Sequence, residues 1–139
     1  MTESLSIGII GNGAHAQRIQ SALTALEVCY QKVEYDRNIP FANQIGIVQS
    51  DAIFITSPND THGLYLEQLN SIYGGYIYCE KPPVNRIVEL ATLEKIDPRK
   101  CFFGFNYRYS PIHKELSVIR NRFDLGSIVA VEIHCSYPF

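Results

Sequence analysis

Leu5–Leu26, LSIGIIGNGAHAQRIQSALTAL, decides how the rest of the chain is read. Leu5, Ile7, Ile9 and Ile10 make a nearly continuous apolar run, the pattern of a strand buried on both faces. Gly11-Asn12-Gly13-Ala14-His15-Ala16 follows and matches G-x-G-x-x-A. Gly11 suits a tight turn, Gly13 lets backbone approach a pyrophosphate, and Ala16 allows a helix to pack closely on the strand. Ala16, Ile19, Leu23 and Leu26 recur on one face of an amphipathic helix. The unpaired N–H groups and partial positive charge at that helix's start attract phosphate.

The next segment supplies the context that an isolated glycine motif lacks. Lys32-Val33-Glu34-Tyr35-Asp36 predicts a second strand ending in an acid 25 residues after Gly11. That is near the ~20 residues that separate such a turn from a ribose-binding carboxylate. The competing reading makes Asp36 a turn cap before Arg37-Asn38-Ile39-Pro40; strand and acid arriving together favour ribose binding. Only Arg37 to Ser50 then precede the third strand, so the crossover is expected to hold at most a short or irregular helix.

Composition bounds the class. A chain of 139 residues with 46% hydrophobic and 19% charged residues reads as one globular domain able to bury an ordinary core. Its net charge of −2 gives no electrostatic reason to bind nucleic acid or an anionic membrane. No apolar run approaches the ~20 residues of a membrane span, and no signal segment opens the sequence. Cys29, Cys79, Cys101 and Cys135 are widely spaced, with no C-x-x-C pair, so reduced thiols and a cytoplasmic location are expected and no metal site is assigned.

Further along, Asp51–Thr56 predicts a strand, with Asn59 or Asp60 capping a helix whose face carries Tyr65, Leu69, Ile72 and Tyr73. Tyr76–Cys79 is a short strand leading into Glu80-Lys81-Pro82-Pro83. Asn85 is expected to cap a helix through about Lys95, with Ile87, Leu90, Ala91 and Glu94 at helical spacing. Cys101–Phe105 is the next strand. Ser110-Pro111 starts a helix with apolar Ile112, Leu116, Ile119 and Phe123. Ser127–Cys135 alternates as a final strand. The order of elements predicts an α/β fold: a doubly wound, mostly parallel Rossmann sheet with helices on both faces, shortened after the second strand.

In sequence, GNGAHA, SPNDTH, CEKPP and FNYRYSP resemble the glucose–fructose oxidoreductase / inositol dehydrogenase / rhizopine catabolism (Gfo/Idh/MocA) family of NAD(P)-dependent oxidoreductases. The resemblance covers the family's N-terminal cofactor domain, here residues 1–124, and residues 125–139 as the first strand of a truncated or absent second domain. It implies that the backbone of Gly11, Asn12, Gly13, Ala14 and His15 cradles the pyrophosphate and that Asp36 binds the adenosine ribose. It implies that Ser57, Pro58, Asn59 and His62 line the cofactor and that Glu80 meets the nicotinamide ribose. Lys81 would sit beside the nicotinamide and the substrate hydroxyl as the catalytic residue, and Asn106 and Arg108 would border the nicotinamide end. A cis Lys81–Pro82 bond is a further implication.

From the residues themselves, Asp36 favours NAD, while Arg37 could tolerate the 2′-phosphate of NADP. Each assignment has a plainer competitor. Glu80 and Lys81 could be a solvated charge pair in a turn, His62 a helix-start residue bonded to backbone, and Arg108 a surface side chain lying between tyrosines. His15 is expected to act through its backbone more than its ring, and His113 and His134 read as structural.

The leading reading is the cofactor-binding part of a dehydrogenase moving hydride between nicotinamide and an alcohol carbon of a sugar or cyclitol. Alone, the chain would turn over weakly or not at all. The alternatives are a non-catalytic dinucleotide-binding module, or subunit completed by a partner, and a methyltransferase seating S-adenosylmethionine at the glycine turn. CEKPP and FNYRYSP argue against the last. An unpaired C-terminal strand would fold back or pair with a second copy, giving a homodimer.

Overall fold

The computed structural model describes residues 5–33 and 48–122, together with 126, 127, 129, 130, 132 and 134. Two compact units divide the chain, residues 1–105 and 106–139.

In the first unit, five strands form one parallel sheet in the order β2-β1-β3-β4-β5. They are β1 Ser6–Ile10, β2 Cys29–Val33, β3 Ala52–Ile55, β4 Tyr76–Cys79 and β5 Cys101–Phe103. The helices are α1 Ala14–Ala25, α2 His62–Ile72 and the short α3 Leu90–Glu94. This is a Rossmann-like α/β fold.

The strand alternation of period two divides the core between the two faces of the sheet. Ile7 and Ile9 of β1 pack with Ala16 and Leu23 of α1. Ile10, Ile53, Ile55, Ile77, Cys79 and Cys101 face the other way and meet Tyr65, Leu66 and Leu69 of α2. Each fully buried isoleucine or leucine stabilises the fold by about 1.5–3 kcal/mol, which outweighs the modest intrinsic helix preference of α2.

Where elements end, the structure departs from the periodic reading. Leu26 was expected on the buried face of α1, but the helix stops at Ala25 and Leu26 is 71% exposed. Glu27 adopts φ +56°, with its N–H bonded to Thr24 O at 3.1 Å and the N–H of Val28 to Leu23 O at 3.0 Å. That left-handed closure ends the helical run just after Leu26, whose own N–H still reaches Ala22 O at 3.0 Å. Ile72 is likewise exposed at the last position of α2.

The segment after Pro83 also differs. A 3₁₀ turn over Ile87–Glu89 precedes α3, and Ile87 and Leu90 are exposed. The apolar contacts come instead from Leu93 and Ile96. Asn85 does not cap through its side chain. Glu89, buried, accepts the amides of Asn85 at 2.9 Å and Arg86 at 3.1 Å, and the Arg86 Nε at 2.8 Å. At α2, Thr61 holds the N-cap position, not Asn59 or Asp60, which lie in a 3₁₀ turn Asn59–Thr61.

The second unit contains a 3₁₀ turn, Asn106–Tyr109, and α4, Pro111–Arg122. Ser110 Oγ accepts the His113 amide at 3.3 Å, the cap expected of Ser-Pro. Ile112, Leu116 and Ile119 are exposed; Phe123 lies outside the described residues. Of the strand expected over Ser127–Cys135, the described residues Ser127, Val129, Ala130, Glu132 and His134 are not in a strand. The others, with the strand pairing proposed for a homodimer, lie outside the described residues. Among the described residues, no helix is long and apolar enough to cross a membrane.

Candidate functional site

The strand order reverses between β1 and β3, because β1 pairs with β2 on one side and β3 on the other. Loops leaving the carboxyl ends of two such strands diverge to opposite faces, which opens a crevice for ligands.

Gly11 begins the loop after β1 with φ +116°, a conformation other residues rarely adopt. A Cβ there would lie 2.7 Å from the carbonyl carbon and oxygen of Thr56 and 2.8 Å from the Ser57 nitrogen. Gly11 N–H bonds Val33 O at 3.1 Å, and Thr56 bonds Ile10 O through its N–H at 2.8 Å and Oγ1 at 2.9 Å. The first glycine is therefore squeezed between neighbouring strands. Gly13 is different: a Cβ there meets nothing within 4 Å. It is the N-cap of α1 with no side-chain cap and no acid in the first turn. Open space and an uncapped helix start suit an anion such as a pyrophosphate.

After β3, Ser57 is buried and accepts Thr61 Oγ1 at 2.8 Å, while Pro58 and Asn59 are exposed. His62 is 0% exposed. Its Nδ1 lies 2.8 Å from Pro82 O and its Nε2 2.8 Å from Ser57 O. Both ring nitrogens are thus engaged with backbone.

After β4, Glu80 is held by several groups. His15 Nε2 lies 2.8 Å from Glu80 Oε1, Tyr78 donates its hydroxyl to the same oxygen, and the Lys81 N–H reaches Oε2 at 3.3 Å. The Lys81–Pro82 bond is cis, and the Lys81 side chain is exposed. A Cβ at Gly104 would meet Glu80 Oε1 at 2.7 Å and the Tyr78 hydroxyl at 2.8 Å, so that glycine makes room for the pair.

The structure thus gathers Gly11–His15 and Glu80 through the His15 bridge, and Ser57, His62 and Pro82 through the imidazole. Asp36 and Arg37 lie outside the described residues. Asn106 and Arg108 lie in the exposed turn of the second unit. The sequence reading missed Tyr78, Thr56 and Gly104. Tyr78 was open to discovery, because residues i and i+2 share one side of an extended chain and Tyr78 stands two before Glu80. The ring of His15, expected to matter less than its backbone, makes a direct contact with Glu80.

No protein-family model matches the chain, and no curated protein sequence matches it. Solved structures do match in fold. Myo-inositol 2-dehydrogenase from Lactobacillus plantarum superposes with a TM-score of 0.66 at 21% identity, covering 91% of this chain and 44% of that one. The WlbA dehydrogenase from Bordetella pertussis, in complex with NADH and UDP-GlcNAcA, gives 0.64 at 15% identity, covering 86% and 43%. Levoglucosan dehydrogenase, in complex with NADH and levoglucosan, gives 0.62 at 18%, covering 85% and 39%. The chain therefore spans about two-fifths of the length of these dehydrogenases, and what it shares with them is the fold.

Proposed function

We propose that the chain is the nicotinamide-dinucleotide-binding part of a Gfo/Idh/MocA-type oxidoreductase acting on an alcohol of a sugar or cyclitol. The observation that carries this reading is the paired behaviour of the two glycines at the strand-order reversal. Gly11 is locked by backbone and Gly13 faces open space at an uncapped helix start. A pyrophosphate needs that combination.

On this reading Gly11, Asn12, Gly13, Ala14 and His15 hold the phosphates, and Asp36 binds the adenosine ribose, with Arg37 beside it. Ser57, Pro58, Asn59 and His62 shape the wall after β3. Glu80 binds the nicotinamide ribose, and Asn106 and Arg108 border the nicotinamide. When bound, the nicotinamide supplies the hydride acceptor or donor. Lys81 is the residue we assign to the proton of the reacting hydroxyl, as a general acid or base within reach of it. Residues 1–124 form the cofactor domain and 125–139 begin the substrate domain. By itself the chain binds dinucleotide and turns over slowly or not at all, since positioning the substrate contributes orders of magnitude to rate.

Titration calorimetry with NAD⁺, NADH, NADP⁺ and NADPH tests the reading. At least one should bind with a Kd below about 1 mM. No heat from any of them at millimolar concentration, alongside a thermal shift with S-adenosylmethionine, would move the assignment to a methyltransferase.

A further inference from the structure

We propose that His62 is a positioning residue, whose buried ring ties the loop after β4 to the loop after β3 and so fixes where Lys81 stands. The inference rests on the functional reading above and deepens it. The ring is 0% exposed and stands 2.8 Å from both the Ser57 and the Pro82 carbonyl oxygens. Carbonyls only accept, so a ring nitrogen bonds its carbonyl only in the form of the ring in which that nitrogen carries the hydrogen.

The two ends of this strut are braced unequally. Ser57 is also held by Thr61, whose Oγ1 reaches Ser57 Oγ at 2.8 Å and Pro58 O at 2.7 Å. The Lys81 side has less support. Pro82 has no N–H to offer, and among the described residues the Lys81 amide reaches its neighbour's carboxylate, at 3.3 Å. Glu80 is rooted by its N–H to Ile55 O at 2.9 Å, and the bond from Nδ1 to Pro82 O pins the far side of Lys81. The base of the strut is firm, because Gly63, the next residue, packs so closely on Glu89 that a Cβ would lie 2.8 Å from its carboxyl carbon.

The asymmetry gives a test in the full chain. An asparagine amide nitrogen occupies the place of Nδ1, and a glutamine amide nitrogen that of Nε2. His62→Asn keeps the Pro82 bond and His62→Gln keeps the Ser57 bond. Hydrogen exchange at the Lys81 amide should stay within about threefold of wild type in His62→Asn and rise about tenfold in His62→Gln, the scale of one lost buried hydrogen bond. Affinity for NAD⁺ should be about tenfold weaker in His62→Gln than in His62→Asn, while affinity for ADP-ribose, which lacks the nicotinamide, should be the same in the two variants.

Equal NAD⁺ affinity and Lys81 exchange in the two variants, or the same tenfold difference between them for ADP-ribose, overturns the proposal. If the wild type binds neither ligand, the functional reading fails, while Lys81 exchange still decides whether the tether exists. Should both variants unfold, NMR of the unaltered chain decides: a slowly exchanging His62 ring N–H is expected, and one exchanging as freely as in a surface histidine overturns the tether.

Discussion

Replacing Gly11 and Gly13 separately with alanine should split stability from binding. At Gly11 the alanine must adopt φ +116°, at about 1–3 kcal/mol of backbone strain. Its Cβ must also sit 2.7–2.8 Å from three backbone atoms of Thr56 and Ser57. Those atoms belong to a strand end that cannot swing aside, and such overpacking costs a further 1–3 kcal/mol or so. The total, about 2–6 kcal/mol, is a large share of the ~5–15 kcal/mol that holds a domain together. At Gly13 the backbone has φ −73° and ψ 176°, open to any residue, and a Cβ meets nothing. Losing glycine at an N-cap costs up to about 1 kcal/mol. Restricting the unfolded chain returns about 0.4–1 kcal/mol, leaving a net change within ~0.5 kcal/mol. Urea denaturation followed by circular dichroism reads the difference. With m near ~2 kcal/mol/M, Gly11→Ala should lower the midpoint by about 1–3 M and Gly13→Ala should barely move it. Titration of Gly13→Ala with NAD⁺ should nevertheless show affinity down about tenfold or more, because the new methyl stands where the phosphates come close. A neutral Gly11→Ala, or a Gly13→Ala as destabilised as its neighbour, would refute the account of the turn.

Two further substitutions test other parts of the first unit. Glu27 closes α1 at φ +56°, so Glu27→Gly should raise stability by about 0.5–1 kcal/mol in the same denaturation assay, and a loss would show that the side chain holds the turn. Tyr73 donates its hydroxyl to Ser50 O at 2.8 Å, and burial, with Asp51 nearby, pushes its phenol up to about 12. The unfolded phenol ionises near pH 10, so this contribution is complete below that pH and is lost as pH climbs towards 12. Tyr73→Phe should cost about 1 kcal/mol at pH 7 and flatten the alkaline decline between pH 10 and 12. The remaining decline belongs partly to the buried thiols Cys79, pushed up, and Cys101, pushed up to about 11. An alkaline limb unchanged by the substitution would count against it.

The parts of this fold legible in the sequence were those where one local rule decides. The apolar run of β1, the glycines after it and the Ala16–Leu23 face of α1 each follow from sterics acting within a few residues. The parts that escaped were decided by groups distant in sequence or by competition between neighbours. Asn85 looked like a cap because its side chain could accept a helix N–H. The Glu89 carboxylate, further along, captured the Asn85 and Arg86 amides instead, and so set a 3₁₀ turn that exposes Ile87. Periodicity counted Leu26 and Ile72 as core because it carries no information on where a helix stops. In the candidate site, the family resemblance named Glu80 and Lys81 but not Tyr78, two residues earlier on the same strand, nor Gly104, whose proximity to Glu80 depends on adjacent strands coming together.

The site's chemistry follows from how the loops are rooted. Thr56 N–H bonds Ile10 O, Glu80 N–H bonds Ile55 O, and Gly104 N–H bonds Cys79 O, each one residue past the end of its strand. The parallel ladder therefore continues one bond beyond β3, β4 and β5 before the chain leaves the sheet. Residues at those roots are fixed by the same hydrogen bonds that hold the core, so changes there are felt first as stability. Beyond the roots, side chains tie one loop to another: His15 to Glu80, and His62 to Ser57 and Pro82. The half-exposed His15–Glu80 contact can be exchanged for contacts to a ligand without disturbing the sheet, while the buried His62 ring keeps its place. That division explains how the scaffold can stay rigid while the crevice at the strand-order reversal adjusts to what binds in it.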